Sequence, residues 1–195
     1  AKKFQWAEAM ITIQNLGLSG HKLFEIEVNV DVNNPTRQII WLDQYSSGSL
    51  ISREYYLKGW DNKYVKAYYN LMVDIVVLFG ANRKSAEKEM KDVMNLEIRL
   101  NKAKNSEGSD GMTTIKDLQQ SLPYLQWMDF FTKLLKPDCQ VYNDDPVFCK
   151  NDKYFVELGE ILRTTDKRII ANWMFWKGAE SILEYLTTEM RRRKD

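Results

Sequence analysis

The chain has 195 residues, 44% of them apolar and 28% charged, which indicates one folded domain with an ordinary hydrophobic core. Its 28 Lys and Arg balance 27 Asp and Glu, so the net charge of +1 gives no basic surface for nucleic acid or an anionic membrane. A single histidine excludes an HExxH zinc site and a pair of catalytic histidines within the chain.

The first elements predicted along the chain are a short helix and a β-hairpin. Apolar residues at helical spacing over residues 4–16 end at Gly17, which favours a helix stop. Apolar and polar residues then alternate from Phe24 to Asp31, the pattern of a half-buried strand. Turn-forming residues at 33–35 precede a second apolar run, so we predict a hairpin at about 22–43.

Helical spacing dominates the rest of the chain. The predicted helices lie at about 64–79 and 85–104, in two short segments between Thr114 and Leu135, from Asp152 onward, and at about 166–193. Residues 137–151 are predicted to be irregular. The predicted fold is therefore mainly α, a single helical lobe over residues 1–195 with one antiparallel hairpin near its N-terminus. No apolar segment reaches the roughly 20 residues that a bilayer span needs.

Several residue groups resemble functional sites, and each has a simpler structural explanation. Glu27 and Asp31 match the ExxxD spacing of one zinc peptidase motif, but in a strand they lie about 13 Å apart at roughly 3.3 Å per residue. Adjacent acids such as Asp144 and Asp145 before a proline are typical of a solvated turn. The basic run from Arg191 to Lys194 complements the dipole at a helix C-terminus.

Two further groups are interpreted in the same way. His21 has no second histidine and no nucleophile motif beside it, so we interpret it as a surface or capping residue. The aromatic residues from Tyr55 to Tyr69 could stack bases or sugars, but near-neutral charge removes the electrostatic part of a nucleic-acid site. A packed core is the favoured interpretation of this aromatic group.

Short motifs follow one another in a fixed order along most of the chain. They are Leu23-Phe24-Glu25-Ile26-Glu27-Val28, Leu42-Asp43-Gln44, Ser52-Arg53-Glu54-Tyr55-Tyr56, Leu78-Phe79-Gly80, Leu96-Glu97 with Leu100, Asp152-Lys153-Tyr154-Phe155 and Asn172-Trp173-Met174-Phe175-Trp176-Lys177. In order and spacing they resemble the N-terminal, non-catalytic half of the neprilysin family of zinc metallopeptidases. Ile51 and Lys153 stand where the family has proline.

The resemblance implies that the chemistry lies elsewhere in the family's polypeptide. The zinc ligands, the general base and the transition-state arginine of the family are downstream of the matched region, so we expect no catalytic residue and no cofactor in this chain, with zinc in the complete enzyme. The lobe would help to enclose the active site and restrict substrates to oligopeptides. The alternative is a truncated, secreted relative that acts as a non-enzymatic binding module.

The resemblance also implies an extracellular location, either secreted or as the ectodomain of a membrane protein. The chain starts at Ala1 without the apolar region of a signal peptide, which indicates a mature or excised chain. An oxidising compartment favours a disulfide between Cys139 and Cys149, the two cysteines of the chain.

The candidate partner contact is the run Trp173, Met174, Phe175 and Trp176 in the last predicted helix. At about 100° per residue these four side chains spread over roughly 300° of the helix surface. A helix that is apolar all round is normally buried on every side. We therefore expect Phe175 or Met174 to face a missing partner, which is the catalytic half of the peptidase or another protein. A peptide is a further candidate partner, and nucleic acid is not expected.

Overall fold

The computed structural model describes residues 4–18, 23–45, 49–104 and 107–194. The α-helices in this part of the chain are α1 (Trp6–Asn15), α2 (Arg53–Lys58), α3 (Lys63–Leu78), α4 (Arg83–Ala103), α5 (Ile115–Ser121), α6 (Trp127–Leu135), α7 (Asp152–Thr164), α8 (Lys167–Ser181) and α9 (Thr188–Lys194). The strands are β1 (Phe24–Asp31), β2 (Asn34–Gln44), β3 (Gly111–Thr114) and β4 (Pro146–Cys149). The predicted mainly α fold is confirmed, since 60% of the structure is helical.

The predicted hairpin is present as β1 and β2, which pair antiparallel from Phe24 opposite Gln44 to Asp31 opposite Asn34. The sheet is larger than this hairpin, because β4 pairs parallel to β2 and β3 pairs antiparallel to β4. The strand order is β1-β2-β4-β3, so β1 and β3 are its edges. β4 lies inside the segment predicted to be irregular; it has four residues, too few for an alternating pattern to be recognised.

The chain divides into two compact units, each built from separate stretches of sequence. One comprises Ala1–Lys22, Ser47–Lys102 and Thr165–Asp195, and is called here the helical unit. The other comprises Leu23–Ser46 and Ala103–Thr164, and is called the sheet unit. That residues 1–195 act as a single lobe stays a prediction.

The core of the sheet unit forms where one face of the sheet packs against α6 and α7. Phe24 of β1 is fully buried, and its ring lies 5.6 Å from that of Trp127 and 5.8 Å from that of Phe155. The Tyr154 hydroxyl donates a hydrogen bond of 2.6 Å to the carbonyl oxygen of Leu23, just before β1. These contacts explain why the alternating pattern of β1 is apolar on the side that faces the helices.

The helical unit buries the apolar stripes of α3, α4 and α8 against one another. Residues that the helical period predicts to face the core are buried here: Val65, Met72, Ile75, Met90, Val93, Leu100 and Ile170. α3 ends at Leu78, two residues before Gly80, whose φ of +99° is the left-handed conformation expected after a helix C-terminus. None of the helices in the described ranges is both long and apolar enough to cross a bilayer.

The last predicted helix, at about 166–193, is in fact two helices. α8 ends at Ser181, a 3-10 turn covers Leu183–Tyr185, and α9 begins at Thr188. The Ser181 hydroxyl donates to the carbonyl oxygen of Gly178 at 2.7 Å, and the Thr187 hydroxyl accepts from the Met190 N–H at 3.4 Å. Such local hydrogen bonds compete with a continuous helix, while the apolar spacing carries on across the break.

Candidate functional site

The four consecutive apolar residues of α8 divide into three that are buried and one that is exposed. Trp173 and Met174 are fully buried, and Trp176 is 3% exposed. Phe175 is 66% exposed, although it lies between two of the most buried side chains of the helical unit. Of the two residues expected to face a partner, Phe175 therefore faces outward and Met174 belongs to the core. That a partner covers Phe175 stays a prediction.

The two buried tryptophans of α8 are held by hydrogen bonds as well as by packing. Trp173 donates its indole N–H to a carboxylate oxygen of Glu97 on α4. Trp176 donates its indole N–H to the Tyr68 hydroxyl at 2.9 Å, and the two rings meet edge to face with centroids 5.9 Å apart. The Tyr68 hydroxyl in turn donates to Glu180 at 2.7 Å. Each indole is thus satisfied inside the core, as buried polar groups require.

Lys177 is the centre of this buried polar network. Its side chain is 1% exposed and its ammonium contacts two carboxylates, those of Glu97 at 3.4 Å and of Glu180. Burial alone would lower the pKa of Lys177, but the two carboxylates outweigh it and hold the pKa above its ordinary value. The Leu50 N–H donates to the other oxygen of Glu180 at 3.1 Å. The network therefore ties α4, α8 and the segment before α2 together.

Residues that carry the family resemblance meet in this network although they are far apart in sequence. Arg53 donates to the backbone carbonyl of Asn101 at 3.4 Å, and the Asn101 amide donates to the carbonyl of Glu97 at 2.9 Å. Tyr56 is fully buried, and burial is the main reason that its pKa is raised above the ordinary value. These landmarks hold the helical unit together, and the packing of α4 and α8 places Phe175 on its surface.

A groove of about 520 Å³ lies beside Phe175, and we call it the α8 groove. Its lining is mostly apolar and comes from the end of α3, the first half of α4 and one side of α8: Val76, Phe79, Ala81, Ser85, Ala86, Glu89, Met90, Arg168, Asn172, Phe175, Trp176 and Ala179. Phe79 is 54% exposed. Two exposed phenylalanines beside one concave surface are the kind of apolar patch that marks a contact site.

The charged part of the groove lining is a single ion-paired group. Glu89 accepts from the Arg168 guanidinium at 2.6 Å and from the Asn172 amide at 2.5 Å. The hydrogen bond from Arg168 is the largest cause of the lowered pKa of Glu89. Because these charges satisfy one another, the groove offers a neutral, apolar surface to a partner. Its polar patch could not be found from the sequence, since Glu89 and Asn172 are separated by 83 positions.

The groups weighed as catalytic in the sequence do not assemble into a reactive site. Asp31 accepts from the Asn33 N–H at 2.8 Å, and Asp145 accepts from the Tyr142 N–H at 2.8 Å, so both support turns. Arg193 pairs with Asp74 at 3.2 Å. Within the ranges described, no three His, Cys, Asp or Glu side chains are grouped to hold a metal ion. His21 lies outside the described residues.

The aromatic residues from Tyr55 to Tyr69 do not form one platform for bases. Tyr56 and Tyr68 are buried, as the core interpretation expects. On the surface, Tyr55 stacks on Tyr64 with ring centroids 4.4 Å apart. These contacts are satisfied within the helical unit and leave no row of open rings.

The two cysteines lie in different surroundings of the sheet unit. Cys139 is an exposed free thiol, and Cys149 is a buried free thiol at the end of β4. Burial, followed by the nearby carboxylate of Asp152, raises the pKa of Cys149 to about 12. The structure has both as free thiols, and the disulfide expected between them stays a prediction.

Comparison with known proteins identifies relatives along the whole chain. The model of the N-terminal part of the family described as peptidase family M13 matches residues 1–195. Neprilysin-2 of Drosophila melanogaster is 36% identical over 196 residues, covering 97% of this chain and 25% of that protein. Neprilysin-21 of Caenorhabditis elegans is 26% identical over 193 residues, covering 95% and 25%. Endothelin-converting enzyme 1 of Homo sapiens is 26% identical over 172 residues, covering 84% and 22%.

The chain thus spans about a quarter of the length of the relatives it matches. Two structures of the zinc metalloprotease Zmp1 of Mycobacterium tuberculosis have the same fold in this region. The inhibitor complex superposes with a TM-score of 0.77 and the open state with 0.74, each at 18% identity over 96% of this chain and 29% of the other. At this identity the likeness concerns the fold alone.

Proposed function

The chain belongs to peptidase family M13 as its N-terminal part, and from this we propose that it is a non-catalytic lobe of a neprilysin-like zinc metalloendopeptidase. In the complete enzyme the lobe would help to enclose the active site and thereby restrict substrates to oligopeptides. The observation that carries the proposal is the match to the family's N-terminal model over residues 1–195.

Zinc would be bound by other parts of the enzyme. The residues described here do not fit a zinc site, because no group of three ligand side chains is present among them and the sequence holds one histidine. When bound, zinc would activate the water that attacks the peptide bond. The contribution of this lobe would be contact with the catalytic half and exclusion of large substrates. An extracellular location, secreted or as an ectodomain, is part of the same proposal.

The α8 groove is the surface we assign to the contact with the catalytic half. Phe175 and Phe79 are exposed beside it, and its single charged group is already ion paired. An apolar, internally neutral surface of this kind suits a permanent contact within one polypeptide, where few charges remain at the core of the interface. A separate protein on the same groove would be the outcome if the chain is a truncated binding module.

The test of enclosure is a chimera in which this chain replaces the matching quarter of neprilysin-2. Two substrates carry the same cleavable sequence, once as a short quenched peptide and once in an exposed loop of a folded carrier protein. We expect the chimera to bind stoichiometric zinc, to cleave the short peptide, and to cleave the carrier at least about a hundredfold more slowly. A zinc-loaded chimera that cleaves both substrates at similar rates would contradict the proposal.

The test of the contact compares Phe175→Asp in the isolated chain and in the chimera. In the isolated chain Phe175 is exposed, so the change should alter stability by less than about 0.5 kcal/mol. In the chimera the new carboxylate would be buried in an interface, and the cost should exceed about 2 kcal/mol in thermal unfolding. Tyr185→Asp is the matched control, since Tyr185 is 84% exposed and does not line the groove. Equal effects of Phe175→Asp in both proteins would place the contact elsewhere.

A further inference from the structure

The outer edge of β1 is an open strand edge in the sheet unit. β1 is eight residues long and comes first in the strand order, paired with β2 alone among the described strands. Its residues from Glu27 to Val30 are exposed. Edges of this length are usually shortened, bulged or covered, because their backbone groups are free to pair with another chain.

The hydrogen bonds of the sheet establish which backbone groups of β1 face outward. The Lys150 N–H donates to the Leu42 carbonyl at 2.9 Å, so Leu42 is directed toward β4. Its neighbour Trp41 is then directed toward β1, where it pairs with Glu27. Because backbone direction alternates along a strand, the N–H and C=O groups of Ile26 and Val28 face the open edge.

An independent contact supports the same assignment. The Val30 N–H donates to the side-chain oxygen of Asn29 at 2.8 Å, as expected for an N–H that is directed away from β2. Val30 is two and four residues from Val28 and Ile26, so all three N–H groups point to the same side. The outward N–H of Val30 is satisfied locally, whereas those of Ile26 and Val28 are available to a partner.

The side chains beside this edge have opposite characters on the two faces of the sheet. One face carries the acidic residues Glu25 and Glu27, with Asp43 opposite Glu25 on β2. The ammonium of Lys150 lies 2.9 Å from Asp43 on this face, and the carboxylate of Glu27 is exposed to a partner. The other face carries Val28, which is 54% exposed, and Val30, which is 43% exposed.

We propose that the open edge of β1 binds an extended peptide as a fifth strand of the sheet, and that this peptide alternates basic and apolar residues. Main-chain hydrogen bonds to Ile26 and Val28 would supply the pairing, as in other cases of strand addition. Basic side chains would lie beside the exposed Glu27, and apolar side chains beside the exposed valine face. This site goes beyond the lobe's part in enclosing an active site and does not depend on it.

The peptide test uses the 195-residue chain and capped seven-residue peptides in which Val alternates with Lys, Glu or Ser. Attraction between the Lys side chains and Glu27, and repulsion of the Glu side chains by it, predict that the Lys peptide binds about tenfold more tightly than the Glu peptide. Added salt should reduce that difference. Methylating the peptide nitrogens whose N–H groups would face β1, which are every second one, should abolish binding. Methylating the nitrogens between them should leave binding nearly unchanged.

The protein variants are Val28→Pro and its matched control Val28→Ala. Proline removes the outward N–H without removing a hydrogen bond to β2, and edge strands tolerate it. We expect at least about a tenfold loss of peptide affinity for Val28→Pro and less than about threefold for Val28→Ala, at similar melting temperatures. Glu27→Gln should reduce the preference for the Lys peptide.

Three results would overturn the inference. One is equal binding of the Lys and Glu peptides, or no binding of either at millimolar concentration. Another is an equal loss of binding whichever of the two sets of peptide nitrogens is methylated. This result does not depend on how the Val28→Pro variant folds. The third is a dimer of the free chain that dissociates when Val28 is replaced by Pro. A second copy of the chain would then be the natural occupant of the β1 edge.

Discussion

Lys177 shows how a charge can be placed in the core without being the centre of a reaction. Its ammonium is almost fully buried between Glu97 and Glu180, and both carboxylates also accept hydrogen bonds from neighbouring donors. A buried ion pair contributes little compared with apolar residues of the same shape, but it is costly to break. The network therefore specifies how α4 and α8 pack, and its charges neutralise one another within the helical unit.

Replacing Lys177 by Ala should be strongly destabilising. The change leaves two carboxylates buried without their cation, which costs about 3–5 kcal/mol in comparable cases. Urea unfolding of the purified chain measures it, with Lys167→Ala as the matched control on the exposed side of the same helix. The control should change the free energy of unfolding by less than about 0.5 kcal/mol. Similar losses in both variants would mean that the buried pairing is not the cause.

The stabilisation that Lys177 provides should be lost only at high pH. The folded-state pKa of Lys177 is raised, so its contribution is fully present below the pKa of an unfolded lysine, about 10.4. It declines as the pH rises through the higher folded-state value. The difference in stability between the native chain and Lys177→Ala should therefore be constant from about pH 7 to 9.5 and narrow above about pH 10.5. A difference that already narrows at pH 8 would contradict this pKa direction.

The helices and the hairpin could be predicted from the sequence because each has a clear period over several turns or residues. The strands β3 and β4 could not be predicted, because each has only four residues and pairs with residues far away in the sequence. Such short strands leave no periodic pattern in the sequence. Burial of three residues in the apolar run of α8 and exposure of Phe175 were partly predictable from the helical angle. The α8 groove was not, because it depends on how α3 and α4 pack against α8.

The position of β4 has a testable consequence for the two thiols. Cys149 is buried with a pKa of about 12, whereas Cys139 is exposed. Since the thiolate is the reactive form, Cys149 should react with a thiol reagent at pH 8 at least about a hundredfold more slowly than Cys139. Two thiols should titrate once the unreduced protein is denatured. If none titrates, the disulfide predicted from the sequence is formed after all.

The motifs that predicted the neprilysin family were correct for the chain as a whole, as the family match over residues 1–195 shows. They succeeded because several of them meet in the buried network around Lys177, where packing restricts each residue type. A substrate, by contrast, leaves no comparable pattern in this sequence. The proposed role of the chain in enclosing an active site is supported by its family, and the α8 groove supports the proposed contact with the catalytic half.

The isolated chain should have no peptidase activity of its own. Its described side chains offer no grouped metal ligands, and the sequence holds one histidine. We expect less than about 0.1 zinc per chain by elemental analysis after dialysis, and no chelator-sensitive cleavage of a quenched peptide. His21→Ala serves as the control, because it removes the one imidazole that could bind a metal. Stoichiometric zinc that this variant loses would contradict the expectation.

The discontinuous composition of the helical unit has a consequence for biosynthesis. The second of its stretches ends at Lys102, but the third begins only at Thr165, after the whole sheet unit has been translated. Glu97 on α4 therefore leaves the ribosome some 80 residues before its partners Lys177 and Glu180. Synthesis at about 5–20 residues per second makes this an interval of several seconds in which α3 and α4 have no α8 to pack against. The helical unit cannot complete its core until α8 has been synthesised. A ribosome stalled before residue 167 would therefore leave a chain in which the core of this unit stays incomplete.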